Sequence, residues 1–161
     1  MLVDFGMAAA GVLAATFAWA GASKLGRPAE TAAGFAELGL GRPVALARAV
    51  PATELALAVT LLAAPAVGAV VALVLLTSFS VVLVRALRRG DDVRCACFGR
   101  AGGPPLSWVE LARNGLLGVL GALAVTAGLD PRLPALIPVV AVVVVVIASA
   151  SLLAVLRTGS P

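Results

Sequence analysis

The residues best equipped for chemistry are Cys95 and Cys97, the only cysteines in the chain. They sit one residue apart in the run Arg94-Cys95-Ala96-Cys97-Phe98-Gly99-Arg100. Two thiols so placed suit a reversible dithiol–disulfide pair. A single intervening residue closes a small, strained ring, and strain makes a disulfide easier to reduce. Such a pair is reactive rather than structural. Arg94 and Arg100 flank it, and a local positive field stabilises thiolates. Phe98 and Gly99 complete the loop and support its shape. The plainer reading is two small, soft apolar side chains in a loop. A metal is disfavoured: two thiolates do not complete a tetrahedral zinc site, and the chain has no histidine to add. Only a dimer lending two cysteines from each chain would do so.

A second group of polar residues lies within apolar sequence. Glu54 falls well inside a hydrophobic block, where a carboxylate is costly and needs a partner facing the bundle interior. Arg113, about six residues into a later apolar block, is the partner the sequence puts first. Glu110 competes for it from position i−3 on the same helix face. The pair is either an interhelical ion pair that fixes the bundle or part of a polar pocket beneath the cysteine loop. A quinone-like or thiol partner would bind in such a pocket, so a membrane quinone is the candidate cofactor. Asn114 reads as interhelical hydrogen-bonding glue. Lys24, with Ser23, ends the first apolar block and reads as a snorkelling side chain.

These residues need a membrane to position them. The chain of 161 residues is 61% hydrophobic and 12% charged, with a mean hydropathy of +1.11. Soluble domains average about 45–50% apolar and about 25% charged residues. An integral membrane protein follows, and no polar stretch is long enough for a separate soluble domain. The net charge of +4 does not indicate nucleic-acid binding. The arginines sit at the ends of apolar blocks, where orientation signals and lipid headgroup contacts account for them. With five Phe, two Trp and no Tyr, no stacking platform is available.

The apolar blocks predict an all-α polytopic bundle of about five transmembrane helices, a four-helix core plus a C-terminal helix, forming one integral membrane domain over 1–161. The expected spans are 5–24, 43–64, 67–87, 107–129 and 135–156, with the cysteine loop at 88–106. The first block is too long for a signal-peptide core and is expected to be retained. Glu30 to Leu40 reads as a short interfacial helix ended by Gly39 and Gly41. Pro43 starts the second span at its first position. Pro51 lies inside that span, because a helix starting there would be only about 21 Å long. A tight uncharged hairpin over 64–68 leads to the third span. Ser107-Trp108-Val109-Glu110 fits a capping box at the start of the fourth, and Gly115, Gly118, Gly121 and Ala122 offer it a small-residue packing face.

Five spans put the ends of spans one and three and the starts of spans two and four on one membrane face. Lys24, Glu54, Arg113, Asn114 and the cysteine loop then share one half of the bundle. Lys24, Arg27, Arg42, Arg48, Arg85, Arg88, Arg89, Arg94, Arg100 and Arg157 fall on that side, against Arg132 on the other. The positive-inside rule places the cysteine loop in the cytoplasm of a multi-pass cell-membrane protein.

Cys95-Ala96-Cys97-Phe98-Gly99, followed by Ser107 and by Arg113-Asn114 at the start of the next helix, resembles the MauE (methylamine utilisation) membrane proteins of the wider DoxX-like group. Gly21-Ala22-Ser23-Lys24-Leu25 and Pro51-x-x-Glu54 are similar to that group as well, so the resemblance covers about 17–123. It implies a redox-associated membrane protein that helps mature the disulfide-rich methylamine dehydrogenase beside a thioredoxin-like partner. It also implies thiol chemistry on the outer face, whereas the arginine bias puts the loop inside. The functional expectation is thiol–disulfide exchange through Cys95 and Cys97, with quinone-linked oxidoreductase chemistry as its enzymatic form. The alternatives are a non-catalytic membrane assembly or binding module and, more weakly, a small-solute transporter, for which the chain shows no inverted repeat. The sequence leaves the oligomeric state open.

Overall fold

The computed structural model describes residues 2–89 and 106–126. The loop residues Arg94, Cys95, Cys97, Phe98, Gly99 and Arg100, the fifth expected span and the end of the fourth lie outside the described residues. Within them the chain is all-helical: α1 (Leu2–Leu25), α2 (Pro28–Glu37), α3 (Pro43–Ala63), α4 (Pro65–Arg89) and α5 (Trp108–Thr126). Four stretches are long and apolar enough to cross a membrane: Asp4–Leu25, Pro43–Ala63, Pro65–Arg89 and Trp108–Val125. In lipid the helix is the natural form for such blocks, since it satisfies every backbone polar group internally.

The central helix is α1, which packs most extensively on α3 and also on α5, α4 and α2. Its inner stripe, Ala9, Ala10, Leu13, Ala14, Phe17 and Ala20, is mostly alanine, which lets neighbouring helices come close. α3 answers with Ala47, Pro51, Glu54, Leu57, Ala58 and Leu61, spaced by three and four residues on one face. One glycine sets this contact: a Cβ on Gly21 would lie 3.0 Å from the Pro51 carbonyl oxygen and 3.0 Å from the Leu55 side chain.

The α3–α4 hairpin is tighter than expected. Ala64 alone separates the helices, and Pro65 is already the first residue of α4. Proline suits that position because its fixed φ is helical and its missing N–H has no partner there to lose. The closeness is bought by Gly68, where a Cβ would come within 2.6 Å of the Leu61 Cα.

Between α1 and α3 lies the short helix expected over Glu30 to Leu40, set earlier in the chain: it begins at Pro28. α2 ends at Glu37, and residues 38–40 close it: Gly39 N–H donates to the Ala36 carbonyl (2.9 Å) and Leu40 N–H to the Phe35 carbonyl (3.0 Å). This is a Schellman closure with Gly39 at φ 71°. Its buried residues Phe35 and Leu38 pack with Ala47, Val82 and Ala86, and Leu106 leans on the same cluster.

At the start of α5 the expected cap is present. The Ser107 N–H donates to Glu110 Oε2 (2.9 Å), the Ser107 hydroxyl donates to the same oxygen (2.7 Å), and the Val109 N–H donates to Ser107 Oγ (3.3 Å). The small-residue face is narrower than expected. Gly121 packs on Leu73, but a Cβ on Gly115 or Gly118 would meet nothing within 4 Å. The buried residues Asn114, Leu117 and Ala124 share the Gly121 stripe, and that register turns Gly115 outward.

Candidate functional site

Lys24 and Glu54 meet in the core. α1 carries Lys24 on the stripe of Phe17 and Ala20, so its last turn points the side chain inward rather than along the lipid. α3 carries Glu54 three residues after Pro51 on its own inner stripe. Lys24 Nζ donates to Glu54 Oε1 at 2.6 Å and to Oε2 at 2.8 Å, and both side chains are only 3% exposed. The partner first expected for Glu54 was Arg113; the structure gives Lys24. The reason is packing: the glycine contact at Gly21 draws α1 against α3 one turn from both charges. Two buried ions each carry a desolvation cost of several kcal/mol, which only close, hydrogen-bonded pairing offsets. One ammonium engaging both carboxylate oxygens provides that pairing.

Thr31, absent from the sequence expectations, fastens this corner. It is buried, and its Oγ1 donates to the Arg27 carbonyl at 3.0 Å and lies 3.4 Å from the Lys24 carbonyl. Its signal was the Pro28-to-Thr31 spacing, which turns the hydroxyl of α2 back toward the end of α1.

Beside the ion pair is a cavity of about 40 Å³. Thr16, Phe17, Lys24, Phe35, Glu54, Phe79, Arg113 and Asn114 are among its lining residues. The structure thus brings together the four polar residues Lys24, Glu54, Arg113 and Asn114 that sequence reasoning assigned to one half of the bundle. Arg113 is exposed at the same time, so the cavity wall reaches the protein surface. Asn114 is buried and donates to Ser80 Oγ over a long 3.4 Å. Ser107 stands apart, engaged in the α5 cap.

The chemistry this space supports is limited by its size. A buried water needs roughly 10–15 Å³ in this measure, so the cavity has room for two or three. Sites for organic ligands run to about 300–1,000 Å³. The space enclosed by the described residues is well below that range. Among the described residues, no group of three or more His, Cys, Asp or Glu side chains is placed to hold a metal ion.

The two ends of the cysteine loop are placed on this same face. Arg89, the last described residue before it, donates from Nη2 to the Leu38 carbonyl at 3.1 Å, at the closure of α2. Leu106, the first described residue after it, packs on the cluster beneath α2. A cation at a helix C-terminus is stabilised by the carbonyls exposed there.

No curated protein and no solved structure matches the chain. The family model described as methylamine utilisation protein MauE matches residues 3–127, which takes in all four described membrane helices, the site and the cysteine loop. The chain belongs to the MauE family.

Proposed function

We propose that this membrane protein serves methylamine utilisation by thiol–disulfide exchange at Cys95 and Cys97, maturing a disulfide-bearing partner protein. The observation that supports this reading is the anchoring of the loop ends. Arg89 and Leu106 both sit on the platform formed by α2 and the helix ends around it. A fully extended chain covers at most about 3.6 Å per residue, so Cys95 stays within about 22 Å of Arg89. The described ends of the loop lie at the membrane half that holds Lys24, Glu54, Arg113 and Asn114.

In the maturation direction a partner thiolate attacks the Cys95–Cys97 disulfide and forms a mixed disulfide. A second partner thiol then displaces the chain. The partner gains a disulfide, and the chain leaves as a dithiol carrying the two electrons and two protons. A thioredoxin-like disulfide protein restores the oxidised pair by the reverse exchange. Arg94 and Arg100 favour the thiolate that each step needs.

Trapping with a membrane-impermeant maleimide, before and after reduction of intact cells and inverted vesicles, tests the reading. The expected result is two species that differ by two reactive thiols, with labelling from one side only and exchange lost in Cys97→Ser. A single species under all conditions rules out the redox role. A non-catalytic assembly module is the second reading. It is favoured by the closed ion pair and by the fact that, among the described residues, no buried side-chain nitrogen or oxygen lacks a hydrogen-bond partner. Full methylamine-dependent growth of a Cys97→Ser strain would select it.

A further inference from the structure

α4 presents two faces. One, through Ala69, Ala72, Leu76, Leu83 and Ala86, is core. The other lines a groove of about 520 Å³ with Thr77, Ser80, Val81, Val84, Arg85 and Arg88, joined by Arg89. Positions 77, 81, 84 and 88 are spaced by three and four residues, so they form one stripe along the helix. The rise from Thr77 to Arg88 is about 16 Å, close to half of a hydrocarbon slab about 30 Å thick. The groove therefore runs from near the bilayer middle to the headgroup level on the α2 face.

Its polarity is graded along that length. The Thr77 hydroxyl donates to the Leu73 carbonyl (2.7 Å) and the Ser80 hydroxyl to the Leu76 carbonyl (2.7 Å), so both hydrogens are spent within the helix and the deep end is effectively apolar. Charge is concentrated at the shallow end. Arg89 is committed to the Leu38 carbonyl. Among the described residues, the guanidinium groups of Arg85 and Arg88 make no ion pair or hydrogen bond, and no carboxylate lines the groove. An orientation signal needs only the charges. It does not need a groove with an apolar floor leading to them.

We propose that this groove binds an anionic phospholipid of the leaflet on the α2 face. Arg85 and Arg88 hold its phosphate, and one acyl chain lies along Val84 and Val81 toward Thr77. The guanidinium fork matches phosphate oxygens in pairs, which suits arginine to the role. The proposal is independent of the thiol chemistry.

Native mass spectrometry of the full chain, released from detergent micelles containing phosphatidylglycerol or phosphatidylcholine of identical acyl chains, tests it. The wild type should retain phosphatidylglycerol preferentially. In Arg85→Gln/Arg88→Gln that preference should fall by roughly twenty-five-fold, about fivefold for each arginine near the headgroups. Arg85→Lys/Arg88→Lys should keep most of it, since charge survives and only the fork is lost. Both side chains are exposed, so these variants should unfold at the wild-type temperature. Three results would overturn the proposal. One is equal retention of the two lipids by the wild type. Another is undiminished phosphatidylglycerol binding in the glutamine variant. The third is displacement of the lipid by an equal concentration of inorganic phosphate, which would make the groove a free-anion site.

Discussion

The two halves of the bundle hold their helices together by different means. Away from α2, the core is wholly apolar: alanines such as Ala9, Ala10, Ala14, Ala58, Ala69, Ala72 and Ala124 let the helices approach, and Leu13, Phe17, Leu57, Leu61, Leu76 and Leu117 fill the space between them. Lipid tails are as apolar as these side chains, so helices gain from close approach rather than from escaping water. Toward α2 the same four helices carry a buried ion pair, an amide–hydroxyl contact and a cavity with room for water. The apolar half supplies a packed hinge-free base. The polar half leaves charge and space on the face where Arg89 and Leu106, the described residues on either side of the cysteine loop, lie. If this division is right, substitutions in the two halves should fail in different ways.

The largest effect is expected at the ion pair. Glu54→Leu leaves the Lys24 ammonium buried without its carboxylate and should cost about 3–5 kcal/mol of stability. Lys24→Met should cost a similar amount. The double variant Lys24→Met/Glu54→Leu should recover most of the loss, because well-packed apolar residues often replace a buried ion pair without penalty. Unfolding titrations in mixed micelles measure the cycle, and its coupling energy isolates the pair. A double variant as unstable as the sum of its singles would mean that the two charges are not closing on each other. If thiol exchange by the loop is lost in a stable double variant, the pair works in the chemistry and not only in the packing.

The apolar half should respond to volume instead. Gly68→Ala places a Cβ 2.6 Å from the Leu61 Cα and 2.7 Å from its nitrogen, and backbone atoms cannot step aside as a side-chain tip can. The hairpin must open, at a cost of about 1–3 kcal/mol. Gly118→Ala is the control on α5. Its Cβ would meet nothing within 4 Å, so stability should stay within about 0.5 kcal/mol of wild type. Thermal unfolding of the two variants side by side separates tight approach from mere glycine content.

Much of this was legible in the sequence, for identifiable reasons. The four described membrane helices follow from block length and hydropathy, and their connectivity alone puts Lys24, Glu54, Arg113 and Asn114 in one half. Pro43 and Ser107 mark helix starts because their local chemistry is independent of tertiary context. The pairing of Glu54 was less legible. Choosing between Lys24 and Arg113 depends on which helices touch, and that turns on Gly21 meeting Pro51 across α1 and α3. The small-residue face of α5 failed for a related reason. Gly115, Gly118 and Gly121 recur every three residues, whereas a helical stripe drifts by about 3.6, so only Gly121 falls on the buried side.

The smallest effect, and the sharpest test of where the division runs, is expected at Asn114. Its hydrogen bond to Ser80 is long, at 3.4 Å, and intramembrane side-chain hydrogen bonds average only about 0.6 kcal/mol. Asn114→Leu removes that bond but adds apolar volume beside a cavity of about 40 Å³. The two contributions oppose each other, so the net change in stability should be under about 1 kcal/mol. If the polar half serves only as glue, thiol exchange in the same membranes should continue at the wild-type rate. If cavity water beside Lys24 and Glu54 takes part, the leucine excludes it and the rate falls while the fold persists. A loss of several kcal/mol would contradict both, because it would make Asn114 a keystone of the packing, which a single long hydrogen bond does not support.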